Sequence, residues 1–353
     1  HYWPLWLLCT APSGNTGTVL TIDSLIRVNG GFRRRRDLRA HGMSDGMIRA
    51  ALAAKRIFRV RHGWYSVPDA PVMGIRAVRL GGRLTGIAAL ESYGLRVPHN
   101  KVVDIVVPAG ACRLRNPEDR TQRLAASAMI RTSAPAAATT PAPVARVRVH
   151  WTDPPRHKLR STSWRVSIDD ALLMVLSTES RDVAVACACA IANHKRWPPQ
   201  RMDAVFARAP SRAQRWRALV SALDDSHGET FVRLWLGDAG IACESQPQLA
   251  GIGRLDFRIS PNVYVEVDGA QHDENWTGGT PSSWQSDRSR DIAVTIRGGR
   301  VLRWTYRHLY RHWANCLAAA ERARADDVEL IARRERHPPL PRSVLRTLRR
   351  APT

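Results

Sequence analysis

The chain has 353 residues, with 54 Lys and Arg against 31 Asp and Glu, for a formal net charge of +23. A surplus of that size attracts phosphate backbones without regard to sequence, and anionic membrane or acidic protein as well; the length allows two or three domains, each with its own core. No apolar run approaches the length that spans a bilayer. The six cysteines (9, 112, 187, 189, 243 and 316) have neither metal-ligand spacing nor the density of a disulfide framework, so a reduced, cytoplasmic protein is the expectation.

Residues 1–18 read as a non-native or disordered leader, because His1 to Cys9 is apolar but short and lacks the basic start of a secretory signal. Residues 19–70 follow as a first folded segment. Ile22 to Ile26 opens one helix, Arg34 to Arg39 reads as a second ended by His41-Gly42, and Ser44 caps a third that runs to Arg56. Met47, Ile48, Ala51 and Leu52 form the apolar stripe of that third helix. A hairpin follows, Ile57 to Val60 and Trp64 to Val67, turning at Arg61-His62-Gly63. Three short helices and a basic hairpin make a winged helix-turn-helix. The segment from Thr21 to Pro68 resembles the N-terminal domain of AbiEi-type antitoxins, which binds promoter DNA of its own operon. The resemblance implies that the helix bearing Arg49, Lys55 and Arg56 enters the major groove, and that Arg59, Arg61 and His62 touch backbone or minor groove. Arg35 and Arg36, in the Arg33 to Arg36 run, join the DNA-contact candidates, although a solvated basic turn is the plain alternative for that run.

Residues 71–197 are less legible and are read as an AbiEi-like middle region. Leu84 to Leu90 predicts a small-residue helix, and Val102 to Val107 a buried strand. Residues 125–144, rich in Ala, Thr and Pro without period, predict a mobile loop. Val166 to Leu173 starts a capped amphipathic helix, and a second runs from Val183 to Ala192, where Cys187 and Cys189 fit a core. No phosphate-cradling glycine loop occurs here, so catalysis is not expected of this region.

Residues 198–325 carry the chemistry, and residues 326–353 read as a basic tail. After a helix over Gly228 to Leu236 and a short strand near Ile241 to Gln248, Arg254 to Ile259 and Val263 to Asp268 each alternate polar and apolar around the turn Ser260-Pro261-Asn262. Leu255, Phe257 and Ile259 are expected on one face with Val263, Val265 and Val267, Ile259 pairing Val263. Asp256 then faces Glu266, and Asp268 shares their side. Like charges directly opposed are destabilising, so two readings stand. Either the carboxylates share a proton or a cation, or they lie on a wet outer face with Arg254 and Arg258 as partners. Downstream, Asp287 to Arg297 predicts a helix that puts Asp287 and Asp291 on one face, Val301 to Thr305 a strand, and His308 to Arg324 a helix.

The order αβββαβα, with Asp256 on the second strand, Glu266-Val267-Asp268-Gly269 ending the third and His272 close behind, resembles the PD-(D/E)XK nuclease superfamily over Ser226 to Trp313. The nearest subgroup is similar to very-short-patch repair endonucleases. The resemblance implies an α/β chain with a restriction-endonuclease-like αβββαβ domain behind the winged helix. It also implies Asp256 as the central Mg²⁺ (or Mn²⁺) ligand, Glu266 or its backbone in the same sphere and Glu229 at its edge. His272 would help to activate water, with Asp287 or Asp291 in support. The family's lysine is Asp268 here; repair-type relatives use histidine instead. Hydrolysis of a phosphodiester needs hydroxide and charge neutralisation, which a carboxylate-held divalent ion supplies, and a histidine is a fitting proton acceptor. The expected partner is DNA and not membrane; a homodimer and a cognate toxin or defence partner are compatible with the chain. The expected function is a Mg²⁺-dependent DNA endonuclease in phage defence or repair. The alternative is a DNA-binding regulator or antitoxin with a silent nuclease fold. Trp284, Trp304 and Trp313 flank the expected cleft, and the glycine-rich 276–280 insert is a candidate flap.

Overall fold

The computed structural model describes residues 21–99, 102–124, 146–152, 163–268 and 281–336; for Arg146 and for 281–288 it describes the backbone alone. The leader 1–18, the 125–144 loop, His272, the 276–280 insert and the tail beyond 336 lie outside the described residues. The described residues are a mixture of helix and sheet divided into two compact units, one made of those within 21–84 and 102–166, the other of those within 85–99 and 167–336.

The first unit begins α1 (Ile22–Val28), β1 (Phe32–Arg34), α2 (Arg35–Ala40), α3 (Asp45–Ala53), β2 (Phe58–Arg61), β3 (Trp64–Ser66) and α4 (Val72–Leu80). Thr21 caps α1 through the Ser24 N–H, and Ser44 caps α3 through the Met47 N–H, as their short oxygen-bearing side chains favour. β3 lies between β1 and β2, antiparallel to both. The strand β1 was not expected; three residues between two helices carry too little pattern to be read. Ile48 and Ala51 are buried as the stripe requires, but Met47 is 44% exposed and Leu52 only half-buried, so the buried face of α3 is narrower than expected. A second sheet joins β4 (Arg83–Leu84) antiparallel to β5 (Val102–Pro108), which runs parallel to β6 (Arg146–Thr152). Phe32 and Trp164 pack with tilted rings, centroids 4.7 Å apart, in the core of this unit, and a Cβ on Gly74 would come within 2.6 Å of Phe32 and 2.7 Å of Trp164, which is why α4 carries a glycine there.

The second unit opens with helices α5 (Gly86–Ser92), α6 (Ile168–Thr178), α7 (Arg181–Lys195), α8 (Pro199–Ala207) and α9 (Ser211–Gln214). Cys187 and Cys189 are core residues of α7, as expected. Then come α10 (His227–Asp238), β7 (Glu244–Ser245), a small ribbon of β8 (Gln248–Leu249) and β9 (Gly253–Arg254), β10 (Phe257–Ser260), β11 (Val263–Asp268), α11 (Pro281–Ile296), β12 (Arg300–Thr305), α12 (Tyr306–Arg311) and α13 (Trp313–Arg336). The sheet order is β12-β11-β10-β7; β11 and β12 are parallel and the other pairs antiparallel. Val232 and Leu236 of α10, with Cys316, Ala320 and Ala323 of α13, pack on the face carrying Phe257, Val263, Val265 and Trp304. Val294 of α11 packs on the opposite face with Tyr264.

The hairpin register puts Phe257 opposite Val265, and Asp256, just before the ladder, bonds the Val267 N–H beside Glu266. The turn reaches that register differently from the expectation: Ser260, not Ile259, pairs with Val263, and a bulge at Ile259 restores the phase. Leu255 also departs from the expected face, packing with Tyr264 and Val294. The strand is interrupted at Leu255-Asp256, where the chain leaves the small ribbon for β10, so alternation does not carry across.

The final helix continues through Arg336 instead of ending near Arg324, and the reason is visible at Asp327. Its carboxylate accepts from Ser260 Oγ (2.7 Å), Asn262 N (3.1 Å) and Asn262 Nδ2 (2.9 Å), clamping the hairpin turn to α13. Asp327→Ala strands these part-buried donors and is expected to cost about 2–3 kcal/mol in urea unfolding; an unchanged midpoint would mean the clamp contributes nothing.

Candidate functional site

α10 delivers Glu229, the break before β10 delivers Asp256, and β11 delivers Glu266 and Asp268. Glu229 lies in the first turn of α10, behind the Ser226 cap, and its Oε2 accepts from the Asp225 N–H at 2.9 Å. Asp256 Oδ2 accepts from the Val267 N–H at 2.7 Å, across the hairpin and beside Glu266. This bond fixes the Asp256 carboxylate toward β11. Glu229 and Glu266 are each 7% exposed, which rules out the wet outer face. The partners of that reading lie elsewhere: Arg254 pairs with Asp225, and Arg258 with Glu244.

Three carboxyls are displaced toward their protonated forms. Burial first, and then the charge of Asp256, push Glu229 up to about 8 despite the bond from Asp225. Burial and Asp256 push Glu266 up to about 7, against the lowering influence of Arg290 and Arg303. Burial raises Asp256 too, with the Val267 N–H opposing it. Desolvation and like charge acting together are the condition that a proton or a cation relieves.

Glu266 Oε1 is buried without a hydrogen-bond partner. An orphaned carboxylate oxygen inside an acidic cluster is unfavourable unless something positive meets it. Among the described residues no group of three His, Cys, Asp or Glu side chains gathers closely enough to hold a metal alone. Mg²⁺ does not require one: it keeps several waters and is held through one or two carboxylates with substrate phosphates completing its shell. Asp256 and Glu266 fit that role, with Glu229 behind them. His272 lies outside the described residues, as does the side chain of Asp287.

Arg303 was not anticipated. It is the β12 residue in register with Glu266, and its guanidinium forks onto Asp291 of α11 through Nε and Nη2, both at 2.8 Å. Its Nη1 reaches Asp268 at 3.1 Å and lies 3.8 Å from Glu266 Oε2. Asp291 therefore touches the cluster through Arg303. Only the parallel pairing of β11 with β12, across a helical crossover, brings Arg303 there, and no local pattern in the sequence signals it. Trp304 and Trp313 meet edge to face at 5.7 Å, with Trp304 4% exposed, so both serve the core. The Trp284 side chain lies outside the described residues.

In the first unit, Arg49 and Lys55 are exposed at and after α3, and Arg59 and His62 along the hairpin. Arg35 is forked onto Asp45, Arg36 lies 3.5 Å from Asp37, and Arg56 pairs with Asp23 at 3.1 Å. Arg61 is half-buried against Gly81, and burial lowers its pKa. Arg34, unforeseen as a partner, lies over the Trp64 ring at 4.7 Å.

No family model matches the chain, and no curated protein matches it. No helix among the described residues is long and apolar enough to cross a membrane.

Proposed function

We propose that this protein is a divalent-metal-dependent DNA endonuclease, its second unit built on a restriction-endonuclease-like core and its first on a winged helix-turn-helix that delivers it to DNA. The observation that carries the reading is the Asp256–Glu266 pair: a half-buried and a buried carboxyl beside each other at the end of one hairpin, with Asp256 bonded to the Val267 N–H and Glu266 Oε1 left without a partner. Asp256 and Glu266 would hold Mg²⁺ or Mn²⁺. When bound, such an ion supplies neutralisation of the charge that develops on the phosphoryl group. The chain's own contribution is to hold these oxygens rigidly, Asp256 by the Val267 N–H and Glu229 by the Asp225 N–H. Glu229, displaced to about 8, retains its proton at neutral pH while the cluster is metal-free. His272 remains the proposed water-activating base by resemblance to repair-type nucleases. The test is supercoiled plasmid incubated with Mg²⁺, with and without EDTA: nicking or linearisation that EDTA abolishes supports the reading, and intact plasmid across Mg²⁺ and Mn²⁺ sinks it.

The delivery function rests on the arrangement of α2, α3 and the β2–β3 hairpin and on the exposed Arg49, Lys55, Arg59 and His62. Arg49→Ala is expected to lower the slope of log K against log salt by about 1, as the loss of one phosphate contact does. Fluorescence anisotropy on duplex DNA measures it, and an unchanged slope removes Arg49 from the interface. A second reading, DNA binding without cleavage, is favoured by one specific observation: Arg303 already supplies a positive charge to Asp268 and Asp291. Promoter binding with no cleavage under any divalent ion would select it.

A further inference from the structure

Arg303 stands between two sets of carboxylates. On one side Asp291 takes two of its three nitrogens in a planar fork, 2.8 Å each. On the other, Nη1 bonds Asp268 at 3.1 Å and approaches Glu266 Oε2 only to 3.8 Å, too far for a hydrogen bond. Glu266 therefore feels the charge of Arg303 but is not bonded by it, and its Oε1 stays unpartnered. Two-pronged arginine–carboxylate pairs are geometrically strict. Freed from that pair, the guanidinium keeps two acidic neighbours, Asp268 at 3.1 Å and Glu266 at 3.8 Å, and Glu266 lies opposite it in register.

We propose that Asp291 is a positioning residue that holds Arg303 back from Glu266, so that Glu266 remains available to a divalent cation. The proposal rests on the reading of Asp256 and Glu266 as the cation site. Arg303 is then a resident competitor. With Asp291 in place it screens Asp268 and orients the Glu266 carboxylate by its charge alone. Without Asp291 it closes onto Glu266 and occupies the place of the incoming ion. The two partners of one ion pair thus act on cation binding in opposite directions, which a pair serving only to staple α11 to β12 would not do.

Calorimetric titration of the full chain with Mn²⁺ tests this. Asp291→Asn keeps the shape and one acceptor but loses the charge and the fork, and should weaken Mn²⁺ binding about tenfold. Arg303→Met removes the competitor and should tighten it about threefold, while plasmid cleavage falls because Glu266 is no longer oriented. The double variant should bind like Arg303→Met, because Asp291 has nothing left to restrain; such non-additivity is the signature of two residues acting through one contact. Arg303→Lys provides a second route that leaves Asp291 intact: an ammonium cannot make the fork, so this variant should weaken Mn²⁺ as Asp291→Asn does. Unchanged affinity in both Asp291→Asn and Arg303→Lys, or a double variant equal to the sum of the singles, overturns the proposal while the nuclease reading stands. Mn²⁺ binding that follows the expected pattern without any cleavage overturns the nuclease reading and leaves the proposal intact. A wild-type chain that binds no Mn²⁺ overturns both.

Discussion

Asp256→Asn is expected to reduce plasmid cleavage by about 10³-fold or more, the loss that accompanies removal of roughly 4 kcal/mol of charge stabilisation in the transition state. The same substitution should make the metal-free protein more stable. Asparagine retains the oxygen that accepts from the Val267 N–H, so the hairpin contact survives. What disappears is the charge that, after burial, adds to the rise of both Glu229 and Glu266. A residue serving the fold alone would lose stability when replaced; one held in place for chemistry against its electrostatic interest gains it. Cleavage and thermal melting measured on the same preparation decide between these. Asp256→Asn that cleaves like wild type ends its role as a ligand, and Asp256→Asn that melts lower shows the carboxylate to be structural.

Glu229→Gln is expected to stabilise the metal-free protein at alkaline pH and to leave it unchanged near pH 5. The direction follows from proton linkage. Glu229 rises from the usual 4.5 to about 8 on folding, so between those values the folded state binds more protons than the unfolded state. Stability then falls as pH rises through that window and is fully retained below it. Glu266, raised from 4.5 to about 7, adds a slope of the same sign over a narrower range. The Glu229 displacement corresponds to roughly 3–5 kcal/mol across the window. Glutamine keeps an oxygen for the Asp225 N–H and carries no charge, so its unfolding free energy should be flatter with pH. A divalent ion, by neutralising the cluster, should flatten the wild-type profile in the same way. Urea unfolding at pH 5, 7 and 9, with and without Mg²⁺, measures both effects. Parallel pH profiles for the wild type and Glu229→Gln would show that Glu229 is not displaced.

Local pattern was sufficient for much of the architecture. Alternation in Phe257 to Ser260 and Val263 to Asp268 marks a hairpin because side chains in a strand repeat every two residues, and the Phe257–Val265 register brings the preceding Asp256 beside Glu266. The cap at Ser44 and the one at Ser167 follow from short side chains that bond the next turn's N–H groups. These are effects within a few residues of chain, so sequence alone determines them. The bulge at Ile259, the move of Leu255 to the other face, the clamp from Asp327 and the place of Arg303 were decided elsewhere. Each depends on a neighbour far along the chain: α13 against the turn, α11 against Tyr264, β12 parallel to β11. Parallel pairing in particular leaves no mark in either strand, because its register is set by the crossover helix and the packing of both faces. The acidic pair was therefore legible in the sequence, whereas the arginine beside it became visible only when the sheet was assembled.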